Sequence, residues 1–364
     1  MRIGIVTQPL EMNYGGILQN WALQQVLLRM GHQPITIDAY QRFTLIHYLF
    51  SCMRTWWMQL RGKPGWYLPH RYHGSLRRKH TGQFVERNIV KTRVMWHYDR
   101  NVVSRYGLEG LVVGSDQVWR SSYNKSRLED KYLSFAQGLP LRRVAYAASF
   151  GVDQWTYTAE QTSVCARLLQ QFDAVSVRED SAAALCQEHL GVAAQRVLDP
   201  TLLLQASDYK EIMSPDWDAS EPYLAVYCLD ITPAKQEFFN RISRKHGLKV
   251  RFFTAGLQSE LTIEQWLAMF NHATMLVTDS FHGTVFSILF GKEFYTLENP
   301  RRGNTRIAGL LDMLGLGSRL LSSEEPDETL ARPIDWASAY SRLDIERKHS
   351  MEFLSASLTT ALKQ

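Results

Sequence analysis

Two series of short apolar runs, each run followed by a longer helical pattern, limit this chain to very few folds. In the first series, β-type runs at 3–7, 35–38, 111–114, 143–148, 174–177 and 196–199 alternate with helices at about 17–30, 160–172 and 181–189. Leu23, Val26, Leu27 and Met30 give the first helix one apolar face, and Gly31 ends it. The pattern pauses at "LLLQASDYKEIMSPDWDASEP", rich in Asp, Ser and Pro, which reads as a connection. A second series comes after it, with strands at 223–228, 249–254, 275–279 and 293–297 and helices at about 235–246, 263–271, 284–290 and 305–314. Such alternation builds βαβ units on parallel sheets. The expected fold is α/β: two Rossmann-like doubly wound domains, 1–207 and 208–325, facing a cleft. A helical tail, 326–364, packs back on the first domain, and a basic aromatic insertion occupies about 45–106. Ligands of open α/β sheets bind outside the carboxyl ends of the strands, so the polar residues at strand ends are the candidates for function.

The four cysteines, Cys52, Cys165, Cys186 and Cys228, form no CxxC pair and no cluster with histidine. No zinc site and no disulfide framework is expected, which suits a reducing cytoplasm. "MRIGIVTQ" is too short for a signal peptide, and no run approaches the ~18 apolar residues that span a bilayer. Charge is uneven. Residues 51–106 hold twelve Lys/Arg against Glu86 and Asp99, a local +10, whereas the whole chain carries +5. Trp56, Trp57, Trp66, Tyr67, Tyr72, Trp96 and Tyr98 are interleaved with those charges. One reading is a helical insertion with core-facing aromatics. The other is a surface for an anionic partner, such as the inner face of a membrane. No nucleic-acid motif is present, so no nucleic-acid partner is expected.

Four strand ends carry candidates. In "TQPLEMNYGGILQNWAL" (7–23), strand one leads through Asn13, Gly15 and Gly16 into a helix with Gln19 in its first turn. This is either a tight turn or a ligand-contacting helix end; neither GxGxxG nor GxxxxGK[ST] is present. In "LVVGSDQVWR" (111–120), a buried run ends at Ser115, Asp116 and Gln117. Asp116 could cap the next turn of chain or act as a base for a sugar hydroxyl. In "AVSVREDS" (174–181), Arg178 could pair with Glu179 or Asp180, or clamp a carboxylate or phosphate. In "TDSFHGTVFSILFGK" (278–292), His282 stands in the turn between a buried strand and a helix that starts near Thr284. A helix N-terminus disfavours imidazolium, and a bound phosphate would restore its proton. Arg301, Arg302 and Arg306 in "NPRRGNTRI" face the same edge. Together these suit an anionic donor.

The blocks "NYGGILQNWALQ", "VVGSDQVW", "SVREDS", "VLDPTLLL", "TDSFHGTVFSILFGK" and "GNTRIAGLLDMLGL" resemble, in order, those of the polysaccharide pyruvyl transferase family. The resemblance runs from about residue 3 to 316. It implies a fold similar to GT-B glycosyltransferases, and transfer of the pyruvyl unit of phosphoenolpyruvate to sugar hydroxyls as a ketal, with release of phosphate. By position, Arg178 and His282 would contact the donor, with Ser280, Phe281 and Gly283 beside its phosphate. Several members have an Arg where this chain has Ser280, so one of Arg301, Arg302 or Arg306 is expected to substitute. Gly16 also departs from an Asp found in some members. His282 is the expected general acid, or else the group that stabilises the phosphate, and Asp116 or Asp279 is the expected base. Asn13, Gly15, Gly16, Gln19, Ser115 and Gln117 are the candidate acceptor contacts. Phosphoenolpyruvate is a substrate here, and neither a cofactor nor a metal is expected. The acceptor is expected to be a glycan, lipid-linked, met by a cytoplasmic protein at the inner face of the membrane. The competing readings are a nucleotide-sugar glycosyltransferase of the same architecture and a non-catalytic glycan-assembly protein.

Overall fold

Short β-branched runs that are buried on both faces can satisfy their backbones only in a sheet covered by helices. The computed structural model describes residues 1–39, 78–124, 127–215, 217, 220–256 and 259–359, and 49, 50, 52, 53, 56, 57 and 61 between the first two stretches. The first sheet comprises β1 (Arg2–Val6), β2 (Gln33–Thr36), β3 (Gly110–Gly114), β4 (Arg142–Ala148), β5 (Ala174–Val177) and β6 (Gln195–Arg196), in the order β2-β1-β3-β4-β5-β6. The second comprises β7 (Tyr223–Tyr227), β8 (Lys249–Phe252), β9 (Met275–Thr278), β10 (Glu293–Leu297) and β11 (Leu320–Leu321), in the order β11-β10-β9-β7-β8. The pairings are parallel, with registers such as Ile5↔Val112 and Val226↔Val277. Both sheets wind the same way: the first strand of each series lies between the second and the third. The order reverses there, at β1/β3 and at β7/β9, and leaves a crevice at the carboxyl ends. The fold class is therefore two Rossmann-like doubly wound sheets.

Among the helices of the described residues are α1 (Tyr14–Arg29), α2 (Gly82–Asn88), α3 (Asn101–Tyr106), α4 (Ala159–Leu169), α5 (Asp180–Leu190), α6 (Pro200–Leu203), α7 (Ala206–Glu211), α8 (Pro233–His246), α9 (Ile263–His272), α10 (Phe281–Leu289), α11 (Thr305–Met313) and α12 (Trp336–Thr359). Side chains of Asn13, Thr158, Thr232 and Thr262 accept from first-turn N–H groups of α1, α4, α8 and α9. Each such cap is worth about 1 kcal/mol.

Helix α1 differs from the one-faced helix its pattern implies, because it is buried nearly all round. It lies between the first sheet and the second domain, where the Tyr14 ring meets Trp266 edge-on at 6.0 Å and the Tyr14 hydroxyl donates to the Leu261 carbonyl at 2.6 Å. The NH2 groups of its buried amides find partners: Gln19 donates to Thr7 Oγ1, Asn20 to Thr36 Oγ1, and Gln24 to the Val90 carbonyl, while Gln19 Oε1 has no hydrogen-bond partner.

Helix α12 crosses back over the first domain. Arg347 donates to the Leu202 and Leu204 carbonyls, Ser350 Oγ accepts from Leu198 N–H, and Phe353 lies 6.4 Å from the Tyr146 ring. In the insertion, the core-facing reading fails for the described tryptophans. Trp56, Trp57 and Trp96 are exposed, whereas Tyr98 is buried and stacked on Phe135 at 5.1 Å. Trp66, Tyr67 and Tyr72 lie outside the described residues.

Candidate active site

The two switch points face each other. The ends of β1 and β3 bring Gln8, Pro9, Glu11, Met12, Asn13, Asp116 and Gln117 to one wall. The ends of β7 and β9, with the chain after β10, bring Leu229, Asp279–His282, Arg302 and Arg306 to the other. Between them lies a cleft of about 700 Å³. A smaller chamber of about 280 Å³ adjoins it, lined by Arg178, Ser181 and helix α11, and shares Phe281 and Arg306 with the cleft.

Helix α10 begins at Phe281, three residues earlier than its apolar pattern suggests, so His282 sits in its first turn. The earlier start is set by Ser280, which occupies the N-cap without capping through its side chain while its carbonyl accepts from Thr284 N–H and Oγ1. The leading N–H groups of α10 carry no side-chain cap and stand at the cleft, the arrangement that favours an anion. Gly283 permits this start: a Cβ there would fall 2.0 Å from Thr278 Oγ1. Gly15 plays the same part across the cleft, since a Cβ there would lie 2.1 Å from His282 Nδ1. Only glycine lets α1 approach the imidazole.

Around His282 is a buried charge cluster. Arg178 Nη1 donates to Asp199 Oδ2 at 2.7 Å, and His282 Nε2 lies 4.0 Å from the same oxygen. Asp199 Oδ2 also accepts from Ser115 Oγ, and its Oδ1 caps α6 through Thr201. Burial opposes charge on Asp199, but Arg178 and His282 outweigh it and hold the carboxyl at about 2. Burial likewise opposes charge on Arg178, yet Asp199 and Glu179 keep its guanidinium above the ordinary arginine value. For His282 burial wins, and the imidazole lies below the ordinary 6.5. Arg306 is pushed down to about 10, first by burial and then by Arg178. The Arg178 and Arg306 guanidinium carbons stand 4.5 and 5.8 Å from the Phe281 ring centre. Arg178 Nε and Nη2, Arg306 Nε and His282 Nε2 are buried without hydrogen-bond partners. Arg178 Nε and Nη2 stand 3.8 and 4.0 Å from Glu179 Oε2 and Asp116 Oδ1, too far for hydrogen bonds. Buried donors without a hydrogen bond are costly, and an anion among them would lower that cost.

Asp116 stands on the opposite wall, and its carboxylate accepts a single hydrogen bond. It holds φ at +66°, a left-handed conformation that disfavours side chains. Asn13 Nδ2 donates to its Oδ2 at 2.9 Å, and Arg178 Nη2 lies 4.0 Å from its Oδ1. Asp279 is occupied instead: it accepts from Leu229 N–H, Asp230 N–H, Lys235 Nζ and Asn299 Nδ2.

A family model described as polysaccharide pyruvyl transferase matches residues 13–300, which take in Asn13, Asp116, Arg178 and His282. The chain belongs to the polysaccharide pyruvyl transferase family. That makes it a transferase. No curated protein matches it. Among solved structures, UDP-GlcNAc 2-epimerases from Methanocaldococcus jannaschii and Rickettsia bellii are each 10% identical, with TM-scores of 0.47 and 0.49. They cover 95% and 97% of this chain, and 93% and 95% of their own. An α-glucosyltransferase in complex with UDP and DNA is 10% identical, with a TM-score of 0.41 over 97% of this chain and 95% of its own. Likeness at this level carries nothing about the site.

Within this pyruvyl transferase fold, Asn13, Gly15, Asp116, Gln117, Asp279, Ser280, Phe281, His282, Arg302 and Arg306 line the cleft, and Arg178 lines the adjoining chamber. Three candidates for acceptor contact lie elsewhere. Gln19 is buried with its amide on Thr7 and Gly16, and Ser115 is buried against Asp199. Gly16 is a spacer, since a Cβ there would meet Asp116 Oδ2 at 2.9 Å. Arg302 Nε is held by Asp230 Oδ2 at 2.7 Å, and the Arg301 side chain is not among those described. Sequence reasoning missed Asp199, Gln8, Arg120, Tyr123 and Tyr227. Asp199 precedes Pro200 and so reads as a helix cap, which it is; nothing in sequence shows that its second oxygen reaches Arg178. Among the described residues no group of three His, Cys, Asp or Glu side chains could hold a metal.

Proposed function

We propose that this chain transfers the pyruvyl unit of phosphoenolpyruvate to two hydroxyls of a sugar, in a polysaccharide or its lipid-linked precursor, as a ketal. The observation that carries this reading is the cluster of buried donors on Arg178, Arg306 and His282 that lack hydrogen bonds beside the start of α10. A small donor with both a carboxylate and a phosphate would answer those groups at once. Arg306 is the best replacement for the cation absent at Ser280: it is buried beside Phe281, whereas Arg302 is occupied by Asp230.

In this reading His282 is neutral in the empty site and gains a proton when phosphate binds beside it. It gives that proton to the methylene carbon of the enol. One sugar hydroxyl adds to C2 as its proton passes to Asp116. The C2–O bond to phosphate breaks, the leaving oxygen's charge falling on Arg178, Arg306 and α10. The second hydroxyl closes the ketal and yields the remaining proton, so one ketal and one inorganic phosphate result. Asp116 is the base because it accepts one hydrogen bond where Asp279 accepts four. Positioned acid–base groups contribute about 10²–10⁴-fold.

Incubation with phosphoenolpyruvate and candidate glycans, followed by phosphate assay, tests the reading. His282→Ala and Asp116→Asn should each lower turnover by roughly 10²–10⁴-fold while the protein stays folded. Near-normal turnover in a folded His282→Ala protein would remove the histidine from the chemistry. Stabilisation by UDP- or GDP-sugars but not by phosphoenolpyruvate would replace this reading with glycosyl transfer.

A further inference from the structure

The basic insertion presents apolar side chains to solvent where a soluble surface would place polar ones. Leu49, Phe50, Met53, Trp56 and Trp57 are 54%, 65%, 63%, 66% and 49% exposed, in positions that are all helical. At helical periodicity, positions i, i+1, i+4, i+7 and i+8 fall within an arc of about 120°. The Arg61 guanidinium lies 3.7 Å over the Trp57 ring, so cation and aromatic share that surface. A second strip of the insertion repeats the composition: Val90, Val94 and Trp96 are exposed among exposed Arg87 and Arg93. It runs beside the edge strand β2, with bridges Thr36↔Lys91 and Ala39↔Met95.

We infer that this face docks the protein on an anionic lipid bilayer, with Phe50, Met53, Trp56 and Trp57 in the interfacial layer. Charge selects the occupant. The segment 51–106 carries +10 while the remainder of the chain sums to −5, so the net attraction to a negatively charged surface comes from this part. Trp, Phe and Leu on one side with Lys and Arg around them is the make-up of a helix that lies in the interface. The docking face is also tied to the cleft: Thr81 Oγ1, at the start of α2, donates to the carbonyl of Glu11 in the cleft wall. The inference is independent of which donor the cleft takes.

Flotation of the full-length chain with vesicles of phosphatidylcholine alone, or of phosphatidylcholine mixed with phosphatidylglycerol, tests it. Binding should be at least roughly tenfold greater to the anionic vesicles and should fall with salt. Tryptophan emission should shift to the blue on binding and be quenched by brominated lipid tails. Phe50→Ser with Trp56→Ser should abolish binding while leaving activity on a water-soluble acceptor unchanged. Equal or no binding to the two vesicle types would overturn the inference. So would a concentration-dependent dimer that the same two substitutions dissolve, since the face would then belong to a second copy. If that variant does not fold, the lipid and salt dependence of the unmodified protein decide alone.

Discussion

At the scale of single residues, the site turns on which charges are paired. Asp199 binds Arg178, Ser115 and Thr201 together, so Arg178 is fixed through one nitrogen and leaves two others without hydrogen bonds. His282 shares that environment and is driven toward its neutral form by burial. Its folded value lies below 6.5, so the unfolded chain binds a proton more readily as pH falls through 6.5. Stability carried by the neutral ring is therefore complete above 6.5 and is lost below it. Urea unfolding between roughly pH 7.5 and 5 should show the unmodified protein losing more stability on acidification than His282→Asn. In ring-proton NMR, inorganic phosphate should move the His282 titration upward, and an unmoved titration would argue against phosphate beside it. His282 and Arg178 were legible as candidates from their places at strand ends; Asp199 was not, because a cap and a cluster centre look alike in sequence.

At the scale of elements, the carboxyl end of β9 has two separate tasks. Asp279 fastens the ends of β7 and β10 to it through Leu229, Asp230 and Asn299, and is paired with Lys235 inside the domain. His282, three residues on, faces the cleft. The two positions look equivalent in the motif, since both are polar residues between apolar runs. Their difference is set by neighbours distant in sequence. Asp279→Asn would leave the Lys235 ammonium buried without its counter-charge, at a cost of about 3–5 kcal/mol. Chemical denaturation should show that loss, with the Michaelis constant for phosphoenolpyruvate little changed in the folded fraction. A large loss of turnover without loss of stability would return Asp279 to the acid–base chemistry. Shifts at element ends have local causes: the strand expected at 196–199 shortens to β6 because Asp199 turns to cap α6, and two-residue β11 is too short to show a period.

At the scale of the molecule, two sheets of the same winding hold the cleft between their switch points, with α1 beneath it and α12 strapped across the first domain. Arg347 anchors the strap by donating to the Leu202 and Leu204 carbonyls. Arg347→Ala should lower stability by about 1–3 kcal/mol through those two acceptors while leaving the turnover number unchanged. Calorimetry and a phosphate assay on the same sample check both halves. The alternation of apolar runs with helical patterns determined the α/β class, the parallel sheets and the strand ends on which function would fall, because periodicity and burial are local properties. Sequence also determined the uneven charge of the insertion. Tertiary structure alone decided that Gly15 makes room for His282, that Gln19 and Ser115 face inward, and that Asp279 accepts four hydrogen bonds where Asp116 accepts one. Each of those outcomes depends on atoms brought within a few ångströms from separate elements of the chain, or on the turn of a helix by one residue. A hydrogen bond has a short reach, and a sequence does not show what folding brings within it.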